Sequence, residues 1–75
     1  METIKRIFEV DRREINYLRV TIESYDGMGI VKTIDPHAAL IEVLISPGCE
    51  HLFSELANSL VQNEGIPLVD KTGSV

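Results

Sequence analysis

Between Ala39 and Ile45 six of seven residues are aliphatic, and the exception is the single charge Glu42. A β-branched and aliphatic run of this length, bounded by turn residues, reads as a strand. It is apolar on both of its sides, so one side can be buried in a core while the other still asks for cover. The rest of the chain must therefore supply a sheet around this strand and a layer to pack on it.

The flanking segments meet that requirement. Residues Ile4 to Val10 alternate as a strand, with Ile4, Phe8 and Val10 on one face, Arg6 among them, and Lys5, Ile7 and Glu9 on the other. Asp11 then reads as a helix N-cap with Glu14 at capping-box spacing. At 100° per residue Ile15, Leu18, Ile22 and Tyr25 form one apolar stripe, and Gly27 ends the helix. Ile30 to Ile34 is a second strand, followed by the turn Asp35-Pro36-His37. After the third strand, Ser46 as N-cap and Pro47 at the first helical position open a second helix. Its stripe is Cys49, Leu52, Phe53, Leu56 and Leu60, with His51, Glu55, Asn58 and Gln62 facing away. Gly65 stops it, and Ile66 to Val69 forms a last strand that Pro67 confines to a sheet edge.

The order is strand, helix, strand, strand, helix, strand. Two helices with one apolar stripe each cover the same face of one sheet. Right-handed crossovers and a tight central hairpin then predict an α+β, ferredoxin-like β-α-β-β-α-β sandwich. Its four-stranded antiparallel sheet carries both helices on one face. The 75 residues make one domain, 1–75, with an ordered core over about 3–70 and a polar, frayed tail at 71–75. A core this small supplies only ~3–5 kcal/mol of net stability. Association would add to it, so a homo-oligomer is the starting expectation.

Charge and composition remove several functions. Twelve acids against seven bases leave −5, which speaks against undirected binding to nucleic acid. The longest uninterrupted apolar run is the four residues Ala38 to Ile41, too short for a bilayer span. Met1-Glu2-Thr3 opens no signal-peptide pattern, and one Cys forms no internal disulfide. A cytoplasmic protein is expected. Two His and one Cys in no ligand spacing predict no metal and no cofactor. No nucleophile–base pair or paired carboxylates can be read locally, so the chain is expected not to be an enzyme.

Three places remain where the fold gathers distinctive residues. The sheet face without helices is expected to carry Ile7, Leu40, Glu42 and Leu44, joined by either Val31 and Thr33 or Ile30 and Ile34. An apolar patch there points to a dimer or a protein partner. At one end of the sheet Arg12 and Arg13 open the first helix beside His37, a candidate anion site with Asp11, Glu9 or Glu14 as competing partners for the arginines. At the other end Asp26, Gly27 and Gly29 meet Ser46 and Gly48 beside Cys49, a candidate cradle for a small carboxylate. A thiol in a first helical turn is favoured as thiolate, which would suit a thiol enzyme. The wheel nevertheless turns Cys49 into the apolar stripe, as a core residue.

The pattern Asp11-Arg12-Arg13-Glu14-Ile15, Tyr25-Asp26-Gly27, Thr33-Ile34-Asp35-Pro36 and Ser46-Pro47-Gly48 resembles a family of short bacterial proteins catalogued as a domain of unknown function. The resemblance covers about residues 5–70 and implies no catalytic residues, substrate or cofactor. Length and element order are also similar to ACT-type regulatory domains, which bind small ligands and pair through sheets or helices. That similarity implies a ligand sensor, although Asp11-Arg12-Arg13 stands where ACT ligand loops carry glycine.

Overall fold

The computed structural model describes residues 3–74. Its elements are β1 (Ile4–Glu9), a 3-10 turn (Arg12–Glu14), α1 (Ile15–Glu23), β2 (Gly29–Asp35), β3 (Leu40–Ile45), α2 (Glu50–Gln62) and β4 (Val69–Asp70). The strands form one antiparallel sheet in the order β2-β3-β1-β4. The expected element order and α+β sandwich are therefore present, with the aliphatic strand β3 between β2 and β1.

Alternation along β3 decides what lies where. Ile41, Val43 and Ile45 are buried, and Leu40, Glu42 and Leu44 between them are only half-buried. The buried set joins Phe8 and Val10, Val31, Leu18 and Ile22 of α1, and Phe53, Leu56 and Leu60 of α2 in one core. Both helices thus cover the same sheet face. The Phe8 and Phe53 rings lie 5.9 Å apart at a tilt of 40°, which joins β1 directly to α2.

Local details differ from the sequence reading where a turn competes with a helix. Asp11 does cap, its carboxylate accepting the Arg13 N–H at 2.9 Å. The turn that follows is 3-10, closed by the Glu14 N–H to the Asp11 carbonyl, and Glu14 gives no side-chain cap to α1. Ser46-Pro47-Gly48-Cys49 does not begin α2. It is a β-turn closed by the Cys49 N–H to the Ser46 carbonyl at 3.0 Å, with Gly48 at φ +86°. Proline second and a left-handed glycine third is the type II pattern, and it outcompetes a helical start. The helix then begins at Glu50.

Three predicted inward residues move out, and one predicted strand residue falls outside its element. Tyr25 lies two residues beyond α1, where the 100° step no longer holds; it is exposed, and Met28 is buried instead. Leu52 sits about 80° round the wheel from the centre of the Phe53–Leu56–Leu60 stripe and is exposed. Ile4 begins β1 beyond the reach of β4, which is opposite only Phe8 and Glu9. Ala39 belongs to the hairpin turn, at φ +55°, and β3 starts one residue later. The last strand is also shorter than expected: Ile66 and Pro67 precede it, and only Val69 and Asp70 pair. The predicted tail is not loose at its start. The Lys71 N–H donates to the Ile7 carbonyl at 2.7 Å, and Thr72 Oγ1 accepts the Ile7 N–H at 2.9 Å. Val75 lies outside the described residues.

Candidate protein-interaction face

The open side of the sheet is assembled by register. Ile30 of β2 is level with Leu44, and Leu44 with Lys5 of β1. In the next row Lys32 is opposite Glu42, and Glu42 opposite Ile7. The third row holds Leu40 and Glu9, with Val69 of β4 opposite Glu9. A register shift between Thr33 and Asp35 pairs Asp35 with Leu40 and leaves Ile34 in the shifted segment next to that pair. Period-2 alternation puts these side chains, Asp35 aside, on the face that no helix covers.

This face is aliphatic with a charged middle. Ile30 is 49% exposed, Val69 48% and Ile34 39%, while Ile7, Leu40 and Leu44 are half-buried by their neighbours. The open phase of β2 is settled for Ile30 and Ile34, because Val31 is buried against the core. Lys32 held the clue: a lysine in mid-strand turns to solvent, and its i±2 neighbours share its side. Among the described residues, neither Glu42, Lys32 nor Lys5 has an ion-pair partner within 4 Å, and only Lys71 and Glu9 approach, at 3.8 Å. The centre of an apolar face therefore holds a carboxylate and an ammonium, each without a salt bridge.

The two loop ends are occupied by their own contacts. Arg13 wraps around Asp11, with Nη2 to Oδ2 at 2.9 Å and Nε to Oδ1 at 3.2 Å. The Arg13 side chain is the main cause that holds the Asp11 carboxyl at about 2, and the pairing raises the Arg13 guanidinium in turn. Arg12 does reach the predicted turn, its Nη2 donating to the His37 carbonyl at 3.2 Å. Asp35 Oδ1 accepts the N–H groups of His37 and Ala38, so this end is a self-satisfied turn. His37 lends it a backbone carbonyl, and its backbone N–H is taken.

At the other end the predicted loops do meet. The Ser46 N–H donates to the Met28 carbonyl at 2.8 Å, and Cys49 Sγ stands 4.0 Å from the Gly27 carbonyl. Cys49 is half-buried and packs against the core. Gly29 is the first residue of β2 rather than a turn glycine. A Cβ there would lie 2.4 Å from the Leu44 carbonyl oxygen, so the glycine serves close strand packing. Asp26, Gly27 and Gly48 are exposed, with no polar group converging on a common point among the described side-chain hydrogen bonds.

One further concavity has no signal in the sequence pattern. A groove of about 340 Å³ runs between α2 and the β1–β4 edge, walled by Ser54, Asn58, Val61, Leu68, Arg6 and Asp70. The Arg6 guanidinium stacks 5.4 Å from the Phe8 ring centre and pairs with Asp70. Thr72, then Arg6, hold the Asp70 carboxyl at about 2. Two charges that neutralise each other close this groove on one side. Among the described residues no cluster of His, Cys, Asp and Glu could hold a metal ion, and no helix is long and apolar enough to cross a membrane.

Among known families, one model matches residues 8–63, and its description is a domain of unknown function, DUF4911. No curated protein and no solved structure matches the chain.

Proposed function

Because the chain belongs to the DUF4911 family, whose function is unknown, we propose its role from its geometry: a non-catalytic interaction module that works by covering its open sheet face with another protein chain. One observation carries this reading. Ile7, Ile30, Ile34, Leu40, Leu44 and Val69 lie together on a face that the fold leaves without a second layer. Contiguous apolar patches of this sort on small domains mark contact surfaces. The arginine end supports ligand binding less well, since Arg13 is paired with Asp11, Arg12 with the His37 carbonyl and Asp35 with the turn's own N–H groups, and at the glycine end no polar groups converge among the described residues.

Site-specific photo-crosslinking in cells tests the reading whatever the covering chain is. A photoreactive residue at Ile30 should give a discrete adduct, and one at Glu55 on the outer side of α2 should give none. The absence of an adduct from Ile30 overturns the proposal, whatever Glu55 yields.

A further inference from the structure

The open face also indicates what kind of chain covers it. This step rests on the reading of that face as the working surface. Glu42 stands between Leu40 and Leu44 in the middle of the face, with no cation within 4 Å among the described residues. Covering it with a purely apolar surface would strip a carboxylate of water with nothing in return. Lys32 stands opposite Glu42 in the same sheet but outside salt-bridge distance, so the best-matched covering surface brings a cation to Glu42 and an anion to Lys32, with aliphatic groups on both flanks. The face itself offers that arrangement.

We infer that the partner is a second copy of this chain, docked face to face about a two-fold axis that lies in the face, along the strands, between β2 and β3. Rotation about such an axis exchanges the two strands, so each residue meets the register mate of its own neighbour. Lys32 then faces Glu42 of the second copy and Ile30 faces its Leu44, while the Leu40 row meets the shifted segment in which Asp35 is the register mate and Ile34 lies next to it. Apolar groups lie on apolar groups in the Ile30–Leu44 row, and opposite charges meet twice in the middle. Two other in-plane axes fail on the same residues. An axis between β3 and β1 sets Glu42 on Ile7 and Leu40 on Glu9, and an axis across the strands through the middle row sets Glu42 on Glu42. Two strands from each copy make a contact at the small end of stable interfaces, so the pair should form and dissociate with concentration.

Charge exchange tests this register. Sedimentation equilibrium of the wild-type chain should show a monomer–dimer equilibrium. Glu42→Lys alone puts lysine against lysine at both junctions, and Lys32→Glu alone puts glutamate against glutamate. Each variant should associate at least tenfold more weakly than the wild type. Mixed one to one, the two variants should form a heterodimer, because both junctions then join opposite charges again. A wild type that stays monomeric, single variants that dimerise unchanged, or a mixture that is not rescued each overturn the inference. Each variant also places like charges opposite one another within its own sheet. The unmodified chain supplies a second measurement that does not depend on their folding. Zero-length carbodiimide cross-linking of a mixture of ¹⁴N- and ¹⁵N-labelled protein should give a Lys32–Glu42 link of mixed isotope mass. Links within single chains only would overturn it. If photo-crosslinking at Ile30 yields an adduct that is not a second copy, this inference fails and the interaction face stands. If Ile30 yields none, both fall.

Discussion

Ile41, Val43 and Ile45 reach into the helix layer and are buried, while Leu40, Glu42 and Leu44, interleaved with them in the same six-residue strand, lie under no layer. The two sides of β3 are nearly matched in aliphatic content and differ in what meets them. On the covered side every large side chain finds neighbours within its own chain. On the open side the same kind of side chain meets no second layer, beside a carboxylate that has no salt bridge among the described residues. The comparison separates two tasks that composition alone would merge: one side of the strand supplies the stability of the fold, and the other is available for contact.

Truncation on the covered side should break the comparison most severely. Leu60 is wholly buried beneath the sheet, and Leu60→Ala removes packing that the surrounding core cannot refill. The expected loss is about 2–5 kcal/mol, comparable with the ~3–5 kcal/mol that a core of this size supplies. Leu60→Ala should therefore be largely unfolded in urea titrations at 25 °C. Leu44→Asp, half-buried on the open side, should lower the unfolding free energy of the monomer by about 1 kcal/mol, well short of Leu60→Ala, while its association is lost. Equal destabilisation by both would mean that the open face is part of the core, contrary to its exposure.

Gly29 tests whether the two sides can be perturbed independently. A methyl group there would meet the Leu44 carbonyl oxygen, on the backbone that carries the buried Val43 and Ile45 as well as the open Leu44. Gly29→Ala should cost about 1–3 kcal/mol by displacing β3 from β2, in the range of overpacking a tight site. Because the displacement reaches Leu44 and Ile30, association should weaken along with stability. A variant that loses stability with unchanged association would show that the open contact tolerates movement at this end of the hairpin.

How much of this division is legible in the sequence depends on whether a residue's setting is local. The alternation in β3 and the stripe Leu18–Ile22 concern residues a turn or less apart, and they place the core and the open Leu40, Glu42 and Leu44 correctly. Ile30 and Ile34 stay undecided on aliphatic content alone, because β2 carries it on both sides; Lys32 is the one local signal for the open side, and the pairing of Val31 with Val43 across the sheet agrees with it. Ser46-Pro47-Gly48 satisfies the signatures of both a helix start and a type II turn, and the Gly48 backbone at φ +86° shows that the turn is the one adopted. The groove at Arg6 is out of reach. It joins residues 64 positions apart, a separation that no local pattern reports.

The smallest expected effect concerns the polar periphery of the covered side. Asp11 and Asp70 both have folded-state carboxyls at about 2, below the ordinary 3.8, Asp11 chiefly through the Arg13 side chain and Asp70 chiefly through Thr72, then Arg6. A depressed acid stabilises the fold when it is ionised in both states. Its contribution is therefore fully present above pH 3.8, and it is lost as pH falls through 3.8 toward 2. Both carboxylates are at the surface, where solvent screens such pairs, so the change should be modest beside that of Leu60→Ala. Urea midpoints of the monomer should hold between pH 7 and pH 5 and decline below pH 4. Asp70→Asn should lower the midpoint slightly at pH 7 and flatten that decline, since one of the two titrating groups is gone. Because Asp70 is opposite Phe8 and ties the Thr72 segment to β1, the same variant should speed amide exchange at Lys71 and Thr72 while leaving Leu44 unchanged. Faster exchange at Leu44 as well would mean that the β1 edge and the open face yield together, and the two sides of the sheet would no longer be separable at that edge.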